Sequence, residues 1–150
     1  MSTNDTIYFY GTKDEHGYMS NFAAYPIVID GVVWPTTEHY FQAMKFVGSE
    51  HVELIRKCAS PATAARMGRS RKRPLRADWE RVKDDVMRLA VWQKFLQHPA
   101  IAALLLATGD AKLVEKTTRD TYWGCGTRGD GKNMLGVILV EVRQRLRERE

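Results

Sequence analysis

The sequence predicts an α+β fold: a single, mostly helical domain with a small antiparallel sheet or hairpin near its N-terminus. Three observations carry that prediction. Two apolar triplets, Ile27-Val-Ile29 and Val32-Val-Trp34, flank Asp30-Gly31, the dipeptide of a type I′ hairpin. Most strand signals precede the capped, apolar-striped helical segments, so strands and helices are segregated and do not alternate as in a parallel βαβ sheet. No repeat, low-complexity tract or linker divides the chain, and 150 residues with 44% hydrophobic content suit one domain over 1–150, with an ordered core from about 7 to 147.

Taken in order, Ile7-Tyr-Phe-Tyr10 is short, aromatic and closed by Gly11, which makes it a strand. Met19-Ser-Asn-Phe22 falls in a loop before the hairpin. The hairpin delivers the chain to Trp34-Pro-Thr-Thr-Glu-His-Tyr-Phe-Gln-Ala-Met-Lys-Phe46, a short helix entered through Thr36 or Thr37 as its cap. Glu38 then sits in the first turn, where a carboxylate meets the positive end of the helix dipole. Further helices are expected over Glu50–Cys58, from the Ser60-Pro61 cap to Gly68, and from Asp78 to about Gln97 along a stripe of Val82, Val86, Leu89, Ala90 and Phe95. Pro99–Ala107 is apolar enough to be a buried helix, ended by Gly109. Lys112–Glu115 reads as a brief strand, Asp120–Asn133 as a glycine-rich loop, and Met134 to about Arg147 as the last helix.

Composition narrows the function classes. No apolar run approaches the ~20 residues that span a bilayer, and the polar Met1–Asp5 start lacks a signal-peptide pattern, so a cytoplasmic protein away from membranes is expected. Cys58 and Cys125 form neither a disulfide framework nor a zinc set, and His16, His39, His51 and His98 show no metal spacing. Reduced thiols, no metal and no cofactor are expected. A formal charge of +5 favours anionic partners, phosphorylated metabolites or nucleic acid.

Three stretches can carry chemistry. On the helix after the hairpin, Glu38, Gln42 and Lys45 project within about 60° of one another, setting an acid, an amide and an amine on one face. Glu38 and Lys45 stand roughly 10 Å apart along the axis, too far for an i,i+4 ion pair, so a ligand can lie between them; an ordinary solvated face has the same pattern. Arg66-Met-Gly-Arg-Ser-Arg-Lys-Arg-Pro-Leu-Arg76 packs six basic residues into eleven, and reads as a solvated loop, a phosphate clamp or a nucleic-acid contact. In Asp120–Asn133, closely spaced glycines let backbone N–H groups approach an anion. Gly126 to Lys132 fits P-loop spacing, but Asn133 stands where the Mg²⁺-binding Ser or Thr belongs and no apolar strand leads in. Trp79 and Trp123 lie off any core stripe, where an indole either stacks on a heterocycle or packs under a loop.

Ser20-Asn-Phe22, the Trp34–Lys45 stretch, Trp79, Asp120-Thr-Tyr-Trp-Gly124 and Gly131-Lys-Asn-Met-Leu-Gly136 stand in the order of the NADAR family. The chain most resembles that family's YbiA-like N-glycosidases, over nearly its whole length from about Ile7. The resemblance implies a NADAR/YbiA-like fold that hydrolyses an N-glycosidic bond to ribose. For this branch it implies riboflavin-pathway pyrimidine intermediates as substrates, cleaved to ribose 5-phosphate and an aminopyrimidine. Other members imply the alternative of an ADP-ribosyl-guanine hydrolase that reverses nucleic-acid ADP-ribosylation; a non-catalytic nucleotide or nucleic-acid binding module is the third reading. The partner is accordingly a phosphorylated N-riboside or an ADP-ribosyl small molecule, with nucleic acid entering as a modified substrate.

Carried over residue by residue, the resemblance assigns Glu38, Lys45 and Asp120 to catalysis. Glu38 is preferred as acid/base and Asp120 as positioner of a sugar hydroxyl or water. One of the two should be the more buried, because donating a proton at neutral pH requires a raised carboxyl pKa. Lys45 can form a Schiff base at C1 or bind phosphate, the former if its pKa is depressed. Asn21, Phe22, Gln42, Trp79, Trp123, Gly124, Arg128, Lys132 and Asn133 are assigned to substrate binding. The tryptophans would stack the heterocycle, Asn21 would bond hydroxyls, and Arg128, Lys132 and the glycine-loop amides would take the phosphate. Cys125 departs from the family pattern, in which relatives carry an acid, and is given no role.

Overall fold

The computed structural model describes residues 5–150, so of the polar Met1–Asp5 start only Asp5 falls within it. The chain gathers into two compact units, one contiguous over Ala24–Lys94, the other formed by the segment up to Ala23 together with Phe95–Glu150. The class is α+β and mostly helical, with two sheets of two strands each among the described residues.

In the contiguous unit, β1 of the hairpin (Ile27–Ile29) pairs antiparallel with β2 (Val32–Trp34), Ile27 opposite Trp34 and Ile29 opposite Val32. Asp30 and Gly31 have φ of 52° and 78°, the left-handed pair that a type I′ turn requires and the reason for that dipeptide. Helix α1 (Thr37–Ala43) follows, and a 3₁₀ turn (Met44–Phe46) continues it, so the helix expected through Phe46 changes its winding at Met44. Thr36 caps it, its Oγ1 accepting from His39 N at 3.1 Å. Helices α2 (His51–Arg56) and α3 (Pro61–Arg69) come next, the latter capped by Ser60, whose Oγ accepts from Thr63 N at 3.1 Å. All but the last residues of α4 (Trp79–Gln97) complete the unit. Ile27, Trp34, Tyr40, Ala43, Phe46, Ile55, Ala64 and Ala90 form its core, with Trp34 edge-on to Tyr40 at 5.1 Å.

In the other unit a strand, β3 (Thr6–Phe9), runs parallel to β4 (Lys112–Glu115), Ile7 opposite Leu113 and Phe9 opposite Glu115. Both strands were expected from their residues; their pairing was not, because nothing local links segments a hundred residues apart. Helix α5 (Pro99–Ala107) buries Ile101 and Leu105 but leaves Leu104 half exposed, so it is a half-covered helix and not the wholly buried one its composition suggested. Helix α6 (Met134–Glu148) lies on β4 and α5, burying Leu135, Ile138, Leu139, Val142 and Leu146. Gly136 permits that approach: a Cβ there would stand 2.0 Å from Leu113 O.

Candidate active site

The helix whose polar column reads either as a ligand-facing or as a solvated side is buried along all of α1, Glu38 and Gln42 included. Glu38 is 9% exposed, and its Oε2 accepts from Gln42 Nε2 at 2.8 Å, one turn on. Gln42 Oε1 is buried with no hydrogen-bond partner among the described residues and lies against α3 at Gly68, where a Cβ would come within 1.8 Å of it. Glycine is thus required by the approach of α3 to the Gln42 amide. Lys45, carried past the helix end by the 3₁₀ turn, donates from Nζ to Gly68 O at 3.4 Å. Its ammonium position lies 5.8 Å from the Phe41 ring and 5.9 Å from the Trp79 ring, and the two rings meet at 5.1 Å.

Burial pushes the Lys45 amine down to about 8; Arg71, Arg69 and Lys83 push the same way and Glu38 opposes them. The aromatic faces favour the cation, but the net result is an amine substantially neutral just above physiological pH. Trp79 is 5% exposed, so it serves as a wall of the lysine's pocket and its indole presents little open face for stacking. Phe41 and Gly68 complete that pocket and were not singled out from the sequence; the i,i+4 spacing of Phe41 and Lys45 was the available signal for the first. His39 is tied to Thr36 Oγ1 at 2.8 Å and to Cys58 O at 3.1 Å, and burial lowers its pKa.

The remaining predicted residues belong to the other unit. Asn21 is buried and Phe22 exposed, in a turn where Phe22 N donates to Ser20 Oγ at 3.1 Å. Asp120 is exposed, and its Oδ1 accepts from the backbone N of Tyr122 at 3.0 Å and of Trp123 at 2.8 Å. Glu38 is therefore the more buried of the two carboxylates. Trp123 is half-buried, edge-on to Tyr122 at 4.9 Å.

Much of the glycine loop's backbone is already engaged within its own unit. Cys125 N donates to Glu115 O, Gly126 N to Thr117 Oγ1, Thr127 N to Thr118 O, Gly129 N to Gly126 O, Gly131 N to Cys125 O and Lys132 N to Thr121 O. Gly124 is buried where a Cβ would collide with Thr117, and its carbonyl accepts from Asn133 N. Asn133, expected among the ligand-binding residues, spends its whole side-chain amide on β4, donating to Leu113 O at 2.8 Å and accepting from Glu115 N at 3.0 Å. Its φ of 54° marks it as the left-handed residue that starts α6. Arg128 and Lys132 are exposed, Lys132 lying over the Tyr122 ring at 5.2 Å. Both cysteines are free thiols. Among the described residues no group of His, Cys, Asp and Glu is placed to hold a metal, and no helix is long and apolar enough to cross a membrane.

The sequence profile of the NADAR domain matches residues 8–147. The chain belongs to the NADAR family. Within it, the chain is 57% identical over 143 residues to the N-glycosidase YbiA of Escherichia coli (strain K12), covering 95% of this chain and 89% of that one. It is 47% identical to an N-glycosidase of Nostoc punctiforme, over 95% and 93% of the two chains. It is 42% identical to a riboflavin biosynthesis protein of Vibrio vulnificus, over 95% of this chain and 39% of that one. The NMR structure of Escherichia coli YbiA superposes with a TM-score of 0.90 at 56% identity, over 97% of this NADAR chain and 88% of YbiA.

Proposed function

We propose that this NADAR protein is an N-glycosidase that hydrolyses the bond between C1 of a ribose 5-phosphate and the amino nitrogen of a riboflavin-pathway pyrimidine. The observation that carries the chemistry is Lys45, a half-buried amine held down to about 8 and set beside the buried Glu38–Gln42 pair. A neutral amine is a nucleophile and an ammonium is not, which favours the Schiff base over phosphate binding as its role. The kinship with N-glycosidases and with a riboflavin biosynthesis protein supports the substrate class.

In this reading the N-riboside opens to its imine, and Lys45 Nζ adds to C1. The Glu38 carboxylate takes the proton that the attacking amine sheds and hands it to the departing nitrogen, so that the C1–N bond breaks and the aminopyrimidine leaves. A Schiff base between Lys45 and C1 remains. Water adds to C1, the Glu38 carboxylate takes its proton, and collapse to the aldehyde returns the amine and releases ribose 5-phosphate. Gln42 orients Glu38, since its Nε2 donor fixes one carboxylate oxygen at 2.8 Å. Asp120 acts through its loop, holding Tyr122 and Trp123 by their amides.

A second reading, hydrolysis of ADP-ribosylated guanine in nucleic acid, is favoured by the exposed Arg69 at the end of α3 and Arg71 and Lys72 after it. Side-by-side assay of a 5-phosphoribosylamino-pyrimidine and an ADP-ribosyl-guanine oligonucleotide separates the two. Release of ribose 5-phosphate from the first, lost by roughly 100-fold or more in Glu38→Gln, is the expected result. Turnover of only the second would establish the other hydrolase, and turnover of neither would leave a binding module.

A further inference from the structure

We infer that Arg69 and Arg71, at the end of α3 and in the loop after it, form the subsite that receives the substrate's phosphate monoester, an assignment that rests on the N-riboside reading above. The basic run does not act as one patch. Arg76 is neutralised by a two-pronged pair with Asp78, at 2.6 and 3.0 Å, and is bound into the fold by Met44 O at 3.3 Å. Arg73 donates to His51 Nδ1 at 3.2 Å, and Arg66 reaches Thr63 Oγ1. Arg69 and Arg71 are exposed and pair with no carboxylate among the described residues.

Arg71 is nonetheless held in place. Its Nη2 donates to Gly68 O at 2.5 Å and its Nε to Arg69 O at 3.3 Å, so two carbonyls orient the guanidinium without cancelling its charge. That leaves it pre-organised for a planar, two-pronged contact with phosphate oxygens. Gly68 O is the same carbonyl that accepts from Lys45 Nζ. Two cations therefore converge on one neutral acceptor, and Arg69 and Lys83 add to the same local field while Glu38 alone opposes it. A surplus of positive charge in a half-buried site is relieved by a bound anion. When Lys45 attacks C1 of a ribose, the phosphate on C5 must fall on a neighbour of that amine and not on the amine itself. The guanidinium joined to Lys45 through Gly68 meets that demand. In the competing cradle, the glycine loop, the amides of Cys125, Gly126, Thr127, Gly129, Gly131 and Lys132 are already engaged within their own unit.

The test is steady-state turnover of a ribosylamino-pyrimidine with and without its 5-phosphate, by the wild type, Arg71→Ala, Arg71→Lys, Arg69→Ala and Arg128→Ala, with ³¹P NMR titration of inorganic phosphate on each. Compared on the plateau above the Lys45 midpoint, where the change in local charge no longer limits the amine, Arg71→Ala should lower kcat/KM for the phosphorylated substrate by roughly 10-fold or more beyond any change on the unphosphorylated one, and phosphate binding should fall in parallel. Arg71→Lys should recover part of it. Equal loss on both substrates, or loss confined to Arg128→Ala, would overturn the assignment. Loss only on an ADP-ribosyl-guanine oligonucleotide would give the arginines to a phosphodiester backbone and overturn it too. If the wild type turns over neither riboside, the N-glycosidase reading fails, and the titration still decides whether Arg69 and Arg71 bind phosphate.

Discussion

In the reaction proposed above, position is what makes Lys45 a nucleophile. Burial between Phe41 and Trp79, with three like charges nearby, disfavours the ammonium, and Glu38 tempers the effect. The pH dependence follows from the sign of that shift. Below about 8 the amine is protonated and cannot add to C1, so kcat/KM should rise with pH and level off above that value. Removing a like charge with Lys83→Met should move the midpoint upward, because the ammonium is then opposed by fewer neighbours. Reduction with borohydride during turnover should trap substrate carbon on Lys45, read by mass spectrometry; trapping at another lysine, or a midpoint unmoved by Lys45→Arg, would refute the Schiff base. That Glu38, Gln42 and Lys45 are neighbours was legible in the sequence, because acid, amide and amine recur on one helical face. Asn133 was assigned to substrate binding through the resemblance, whereas its φ of 54° and its two side-chain hydrogen bonds to β4 are invisible in spacing.

At the scale of elements, α1 and α3 set the site. Gly68 lets α3 approach until its carbonyl meets Lys45 and its Cα faces Gln42. Gly68→Ala would place a Cβ 1.8 Å from Gln42 Oε1 and 3.1 Å from Gln42 Cβ. The near-rigid Cβ contact means the helices must part, so a loss of about 1–3 kcal/mol is expected from overpacking, together with a fall in turnover as the Glu38–Gln42 bond is disturbed. Urea midpoints and kcat measured on the same sample check both; unchanged turnover would show that Gln42 does not orient Glu38. Elements marked by local chemistry were readable in advance: the Asp30-Gly31 turn needs positive φ at both residues, and Ser60-Pro61 is a cap followed by a residue preset for the first turn. Tertiary context overrode the rest. A polar helical column was read equally well as a solvated face, but α1 is covered on every side, and apolar α5 keeps Leu104 half exposed.

For the molecule as a whole, two lysines and one tyrosine give stability a pH signature. Burial lowers Lys94 to about 7, as it lowers Lys45 to about 8, while in the unfolded chain both titrate near 10.5. Between these values the unfolded state binds more protons, so stability should rise with pH from about 7 toward 10. Tyr18 is pushed up to about 12 by burial, so above 10 the folded state holds the extra proton and stability should decline. Urea midpoints from pH 6 to 11 would trace the rise and the turnover; a flat or falling course between 7 and 9 would mean the lysines stay charged when folded. The parallel pair of β3 and β4 has a temporal consequence. Residues 24–94 are contiguous and can gather into their unit as soon as that stretch has emerged from the ribosome, whereas Thr6–Phe9 must wait for Lys112–Glu115 to be synthesised. At ordinary elongation speeds that interval is roughly 5–20 s, during which the aromatic edge at Tyr8 and Tyr10 is one of the earliest made and last satisfied parts of the nascent protein.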